Sequence, residues 1–459
     1  MKPTEIKNKR VTILGAERSG LGAAKLLAHH GARLLVSEKD ALKFTAEKRE
    51  FFASINAKFE FGYHSDDVFD ADFIVVSPGI PENAEIMAKI KAKQIPVYSE
   101  VEVASWFIDE PIIAVTGSNG KTTTVNLIHH VLTACGINTF LGGNVGQAIS
   151  EVILARQASD AENAVFVLEV SSFQLDHVER FHPKVAMILN LSPDHLDRYD
   201  SVEDYYSSKL GIWRNLGGQD LIGFNVDDER LVRAEKPNAK LLGFGTTDSP
   251  QLFATVRDGE LGIIQNGGFQ AIIPASELPI PGPHNVSNAL ACITATSAFV
   301  PDLGDIGAAL RTFTPVPHRI EYVETIKGIR FYNDSKATNV ASTAVAIQSF
   351  NEPEWVILGG KDKGGEFYTL AVDLARHARK VLLVGKAAPI IAEQLAGAVE
   401  METVGTIGNA IDYALRYGQA GDVVLLSPGC ASFDQFDNYE QRGEFFISIV
   451  KQRKERLAQ

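Results

Sequence analysis

Cysteine is scarce in this chain. Cys135, Cys292 and Cys430 are odd in number, far apart and form no C-x-x-C pair, which argues against a disulfide framework and suits reduced thiols. Positive charge is short as well: 44 Lys and Arg against 57 Asp and Glu leave a formal net charge of -13 at pH 7. A surface of that sign repels nucleic acid and anionic membranes alike, so neither polyanion is an expected partner. Any anionic ligand has to be caught locally, by glycine-rich loops, helix N-termini and a few placed Lys or Arg residues. No apolar run approaches the ~18 residues of a membrane span, and residues 1–10 lack the apolar stretch of a signal peptide. A cytoplasmic location and a monomer are expected. Short-period repeats and low-complexity segments are also missing.

What the chain does contain is alternation. Short apolar runs and amphipathic stretches follow one another along most of the 459 residues, the pattern of βα units around parallel sheets, so the expected class is α/β. At about 150 residues per domain the length predicts three domains, placed at 1–108, 109–315 and 316–459. Strands are expected at 11–14, 33–36 and 73–76 in the first and at 112–116 in the second. The third has them at 330–332, 355–358, 381–384 and 423–426. Residues 106–111 read as a linker, because Pro111 pushes its predecessor towards extended geometry. Turns such as Asp258-Gly259 and Asn266-Gly267 predict antiparallel strands within 252–273.

The strongest functional signal is Thr116-Gly117-Ser118-Asn119-Gly120-Lys121-Thr122-Thr123, which follows the apolar run 112–115 and precedes a helical pattern at 125–135. In a strand, loop, helix arrangement the backbone N–H groups face a polyphosphate, Lys121 neutralises its terminal phosphates and Thr122 offers a hydroxyl to magnesium. The loop is a variant, since the full G-x-x-x-x-G-K-[ST] pattern has glycine where Val115 stands. A second glycine loop, 15–20, follows the first strand but lacks the second glycine of a dinucleotide fingerprint, so no oxidoreductase is inferred. Glu38 and Ser77-Pro78-Gly79 stand at the ends of neighbouring strands, where open α/β sheets bind ligands.

Glu169 ends an apolar run, where a magnesium-ligating carboxylate belongs in a phosphate-loop domain. His195, flanked by Asp194 and Asp197, follows the strand expected at 185–189 and is a candidate metal ligand. Lys209, within a helical stretch 202–213, reads by pattern alone as a solvated lysine. His284-Asn285-Val286-Ser287-Asn288 opens another helical run, and its amides suit an adenine or sugar, or simply a helix cap. In the third region, dense polar clusters follow three strands: 333–339, 359–363 and 427–436. Three such clusters at one sheet edge suggest a site.

Together the loop 116–123, Glu169 with 171–175, the run 194–199, His284-Asn285 and Asn333-Asp334-Ser335-Lys336-Ala337-Thr338-Asn339 resemble the Mur ligases of bacterial peptidoglycan synthesis. The resemblance spans the chain, with motifs in order; the last motif and 427–436 are similar to the branch that adds D-glutamate. It implies a Rossmann-like N-terminal domain for a UDP-sugar, a central P-loop ATPase domain with a mostly parallel sheet, and a Rossmann-like C-terminal domain for the amino acid. The implied reaction is ATP-dependent ligation of D-glutamate to UDP-N-acetylmuramoyl-L-alanine, with two magnesium ions.

By the same resemblance, Ser19, Glu38, Ser77 and Gly79 lie near the uridine diphosphate, and Asn144 and His195 near the muramoyl-alanine end. Gly117, Ser118, Asn119, Gly120, Lys121, Thr122, Thr123 and Thr124 hold ATP, completed by Asn285, Asn288, Arg319 and Asp334. Lys121, Glu169, His195 and Lys209 are the implied catalytic set. Thr122 and Glu169 serve the first magnesium; His195 and a carbamylated Lys209 serve the second. Lys336, Thr338, Lys363, Ser432 and Tyr439 face D-glutamate. The alternatives are a ligase of the same superfamily with another amino acid, an ATPase driving binding or motion, and nicotinamide-dependent oxidoreduction.

Overall fold

The computed structural model describes residues 3–43, 45–144, 146–193, 198–362 and 364–458. The chain forms two compact units, Met1–Ser276 with Asn288–Arg311, and Glu277–Ser287 with Thr312–Gln459.

The first unit holds two sheets. One is five-stranded, in the spatial order Lys58–Phe61, Arg33–Glu38, Arg10–Leu14, Phe73–Val76, Val97–Ser99, and every pairing in it is parallel. Connectivity reverses between the strands Arg10–Leu14 and Phe73–Val76, which makes their C-terminal ends the crevice of a doubly wound fold. The other sheet is nine-stranded. Ending at one edge, it runs Leu221–Asn225, Val185–Ile188, Ile112–Thr116, Val165–Glu169, Thr139–Gly143, all parallel. Its far side ends in the antiparallel strands Leu252–Arg257, Glu260–Gln265 and Gly268–Pro274, joined by the glycine turns that predicted them.

The stretch expected to be a linker is preceded by a firm anchor. The helix Glu100–Ser105 buries Glu102, whose carboxylate accepts hydrogen bonds from the amides of Glu179, Arg180 and Phe181 at 2.8–3.0 Å. A carboxylate satisfied by three backbone donors repays its desolvation, and it ties the five-stranded sheet to the nine-stranded one within a single unit.

The second unit carries a six-stranded sheet, ordered Glu321–Ile326, Ile329–Asn333, Val423–Leu426, Glu354–Gly359, Ala378–Val384, Met401–Gly405. Only its first pairing is antiparallel. Because Ile329–Asn333, Val423–Leu426 and Glu354–Gly359 are adjacent and parallel, the three polar clusters that follow them emerge side by side.

Helices depart most from the sequence reading. The first spans Arg18–His29 and so begins inside the glycine loop 15–20, and the one after the phosphate loop spans Lys121–Ala134 rather than 125–135. In both, glycine or β-branched residues occupy the first turn and hide the helical period. The stretch 202–213 divides into an α-helix, Val202–Leu210, and a 3-10 turn, Gly211–Trp213.

One buried acid has a measurable consequence. Glu354 opens a central strand with no exposed surface, and neither carboxylate oxygen meets a hydrogen-bond donor among the described residues. Burial, with Glu352 nearby, pushes its pKa up to about 9. The folded chain therefore holds a proton that the unfolded chain releases, so stability falls as pH rises from the ordinary carboxylate range towards 9. Glu354→Gln is expected to match the native chain in urea midpoint at pH 4 and to exceed it at pH 8.

Candidate active site

The strand Ile112–Thr116 is buried along its length. Its neighbours in the sheet, Val165–Glu169 and Val185–Ile188, lie on opposite sides, so the loop after it stands at a topological switch point. Val115 belongs to this strand, fully buried, and the loop opens at Gly117 with φ 150°. Gly120 caps the following helix with φ 85°, and a Cβ there would lie 2.4 Å from Asn288 Oδ1; only glycine fits. A helix that starts at such a loop turns its N-terminal backbone N–H groups, and the positive end of its dipole, towards an anion held there.

Two lysines converge on the loop. Lys121 Nζ donates to the carbonyls of Gly117 (2.8 Å) and Ser118 (2.9 Å), and Lys209 Nζ donates to Gly117 O (2.9 Å). Lys209 is only 2% exposed, its ammonium 4.6 Å from the centre of the Tyr205 ring. The pattern reading of a solvated lysine is thereby overturned. Tyr205 and Lys209 are four residues apart and share one helix face, and that face is buried against the loop. The loop is braced from the exit of Val185–Ile188: Ser118 Oγ donates to Ser192 O (2.8 Å), and Asn119 N to Asn190 Oδ1 (2.9 Å). Thr124 Oγ1 donates to Asn288 Oδ1 at 3.3 Å.

Glu169 is the last residue of its strand and 2% exposed. Its Oε1 accepts from Asn144 Nδ2 (3.0 Å), whereas Oε2 is buried with no hydrogen-bond partner among the described residues. An orphaned buried carboxylate oxygen at the edge that also carries Thr122 is a hard-oxygen donor set that fits magnesium. Among the described residues no three His, Cys, Asp or Glu converge on a metal position. His195 lies outside the described residues.

A cleft of about 970 Å³ opens at the switch point of the five-stranded sheet. Of the residues expected near the UDP-sugar, Ser19, Glu38, Ser77, Gly79 and Asn144 line it, and His195 is not among the described residues. Glu38 is committed to the backbone: Oε2 accepts from Ala16 N (3.0 Å) and Oε1 from Asp40 N (2.9 Å). Gly15, at φ 92°, would carry a Cβ 2.6 Å from Ser77 Oγ. Arg18, inside the irregular glycine loop, reaches the strand exit 143–146 and donates to Gly146 O (3.0 Å). His64 and Lys39 also line the cleft, and sequence reasoning did not single them out. His64 Nδ1 pairs with Ser37 Oγ at 2.6 Å, and burial lowers its pKa.

In the second unit the three loops interlock. Gly429 N donates to Ala337 O (3.0 Å), and Lys361 N to Ala431 O (2.8 Å). Asp334 is buried, with Oδ2 accepting from Ser427 Oγ (2.8 Å) and Oδ1 from Ile320 N (3.3 Å). Desolvation raises its pKa to about 7, opposed by the positive charge of Arg319. Arg319 keeps a buried Nε that donates no hydrogen bond among the described residues. Asn285, 5% exposed, donates to Pro281 O (2.6 Å); the helix Pro283–Thr296 starts before it, so Asn285 lies inside the helix and is not its cap. Lys336 lies with its ammonium 5.9 Å from the centre of the Tyr439 ring. Thr338 follows on the same loop, its N–H bonded to Lys336 O (2.9 Å), and Ser432 is 2% exposed. Lys363 lies outside the described residues.

The residue that pattern reading missed here is Arg442. It is 2% exposed, and it donates to Ser335 Oγ (2.9 Å), Ser335 O (2.8 Å) and Cys430 O (3.0 Å). Burial lowers its pKa to about 10. One arginine of three in the helix Tyr439–Ala458, it carries no period that would set it apart.

Three family descriptions match the chain in order: MurD N-terminal domain over 10–86, Mur ligase middle domain over 115–296, and Mur ligase, glutamate ligase domain over 318–430. Among curated proteins, the UDP-N-acetylmuramoylalanine--D-glutamate ligase of Salinibacter ruber is 38% identical, over 98% of this chain and 99% of its own. That of Elusimicrobium minutum is 39% identical over the same shares. Among solved structures, MurF ligase from Thermotoga maritima in complex with ADP has a TM-score of 0.59 at 15% identity, covering 99% of this chain and 100% of its own. UDP-N-acetylmuramate-alanine ligase MurC of the same organism has a TM-score of 0.57 at 20% identity, over 97% and 100%. These two share the fold. With its phosphate loop at a switch point, its cleft beside the first sheet and its interlocked third set of loops, the chain belongs to the Mur ligase family.

Proposed function

We propose that this enzyme ligates D-glutamate to UDP-N-acetylmuramoyl-L-alanine at the expense of ATP, releasing ADP and phosphate, in cytoplasmic peptidoglycan precursor synthesis, and that it acts as a monomer. The observation that carries the reading is near full-length likeness to D-glutamate ligases, supported by a phosphate loop with two converging lysines.

A carboxylate is a poor electrophile. In the proposed sequence the alanine carboxylate takes the γ-phosphoryl group of ATP to give an acyl phosphate and ADP; the amine of D-glutamate then forms the amide bond, and phosphate leaves. The first step brings two anions together, and stabilising that charge is the main task of the site. Residues 117–124 would hold the triphosphate, with Asn285, Asn288, Arg319 and Asp334 completing the nucleotide site. Thr122 and Glu169 would hold one magnesium ion, and His195 with a carbamylated Lys209 a second; the metal supplies Lewis-acid neutralisation of phosphate charge. The cleft lined by Ser19, Glu38, Ser77, Gly79 and Asn144 would take the UDP-sugar. Lys336, Thr338, Lys363, Ser432 and Tyr439 would receive D-glutamate, in a domain layout of 1–108, 109–315 and 316–459.

The test is phosphate release with UDP-muramoyl-alanine, ATP and magnesium, supplying L-alanine, diaminopimelate, L-glutamate and D-glutamate in turn. D-glutamate alone is expected to stimulate release and to enter the product as label. Equal stimulation by another amino acid, or phosphate release that needs no acceptor, would overturn the reading.

A further inference from the structure

The loop that leaves the strand Phe73–Val76 carries Ser77 and Gly79 on the wall of the 970 Å³ cleft. Its backbone continues for several residues before the helix Glu85–Ala92 begins, and a loop of that kind needs external support for its carbonyls. Arg198 supplies it. Its guanidinium donates to three successive carbonyls, Pro78 O (2.8 Å), Gly79 O (3.3 Å) and Ile80 O (3.2 Å). The same group lies 4.5 Å from the centre of the Phe173 ring, and Phe173 stacks on Tyr199 with centroids 5.7 Å apart and planes 9° from parallel. Phe173 belongs to the short helix Ser172–Leu175, just past Glu169, and Tyr199 is held by a bond from its hydroxyl to Asp176 Oδ2 (2.9 Å). One guanidinium thus joins the wall of the cleft to the segment that follows the candidate metal carboxylate.

A second tie, Glu82 Oε1 to His177 Nε2 at 2.5 Å, runs alongside, but Glu82 is 59% exposed and such a pair contributes little. The weight falls on Arg198. Its chemistry is particular: a planar fork with five N–H donors serves three carbonyls while lying over an aromatic ring, whereas a lysine ammonium has three donors and no plane.

We propose that Arg198 is a positioning residue that fixes the wall loop 77–80 in its ligand-ready shape, so that affinity for the UDP-sugar acceptor depends on it while nucleotide binding does not. The inference rests on the reading of the cleft as the UDP-sugar site. Loss of a charge-assisted set of hydrogen bonds of this kind corresponds to about a ten- to hundredfold change in affinity.

Calorimetric titration of the full-length enzyme with UDP-muramoyl-alanine, beside titration with ADP and magnesium, separates the possibilities. Arg198→Lys and Phe173→Leu are expected to weaken UDP-muramoyl-alanine binding by about tenfold or more, to leave ADP binding within about twofold, and to raise the acceptor KM with kcat at saturation little changed. Glu82→Gln serves as the exposed control and is expected to change acceptor binding less than about twofold. If the native enzyme does not bind UDP-muramoyl-alanine, the reading of the cleft fails. If it binds and both Arg198→Lys and Phe173→Leu bind equally well, or if both ligands weaken together, the positioning role fails.

Discussion

Lys121→Ala is expected to reduce acceptor-dependent phosphate release by at least about a thousandfold, the scale on which preorganised electrostatic groups act in phosphoryl transfer. The geometry behind this is specific. Lys121 opens the helix that follows the loop and folds its ammonium back onto the carbonyls of Gly117 and Ser118, so its charge sits over the loop rather than in solvent. Deleting it removes positive charge from the point where a terminal phosphate and a carboxylate would meet. Lys121→Arg is expected to be nearly as damaging, because a guanidinium fork is larger and cannot take the same folded position between two carbonyls. The measurement is single-turnover phosphate release at saturating ATP, with thermal unfolding alongside to show an intact fold. A Lys121→Ala enzyme retaining a tenth of native turnover would remove the loop from the chemistry.

Lys209→Ala is expected to lower turnover more than about a hundredfold, in line with the loss of a group that holds a catalytic metal, and formate or acetate is expected to restore part of it. The side chain is buried beside Tyr205 and bonded to Gly117 O. If the ammonium first gives up a proton and the free amine adds carbon dioxide, a new N–C bond forms as one C=O π bond opens, a second proton leaves the nitrogen, and the buried cation becomes a carbamate anion. A short carboxylate entering the space left by alanine would supply the same oxygens. Rescue that scales with the carboxylate and fails with chloride supports the carbamate. Loss of activity with no rescue by any small carboxylate would leave Lys209 as a prop for the loop, acting through its bond to Gly117 O.

How far the chain could be read beforehand varied with the kind of signal. Strands buried on both faces, such as Ile112–Thr116 and Val423–Leu426, are continuous apolar runs, and a run of that kind has few other uses. Glycine loops after strands and the hairpin turns at 258–259 and 266–267 were visible for the same reason, since backbone geometry there demands particular residues. Helix starts were not. Lys121 to Thr124 look like loop by composition, yet they form the first helical turn, because tertiary packing outweighs weak helix propensity.

Buried polar groups were the least legible. Nothing around Lys209 in the sequence distinguishes it from a solvated lysine; its burial depends on a helix face meeting a loop about ninety residues earlier in the chain. Arg442 and Arg198 are similar. Each is satisfied by carbonyls from remote loops, and backbone carbonyls carry no sequence signature. Glu38 is similar in kind: it lines the cleft as expected, but its bonds to the Ala16 and Asp40 amides, which fix its orientation, are not legible in the sequence.

Local covalent chemistry therefore set the class of this protein on its own: apolar alternation gave parallel sheets, and glycine followed by Lys121 and Thr122 gave a phosphate loop. Three-dimensional packing decided the rest, namely which lysine is desolvated, which carboxylate oxygen stays unpaired and which arginine holds a loop. These depend on distances between segments far apart in the chain, and such distances exist only after the sheets have formed.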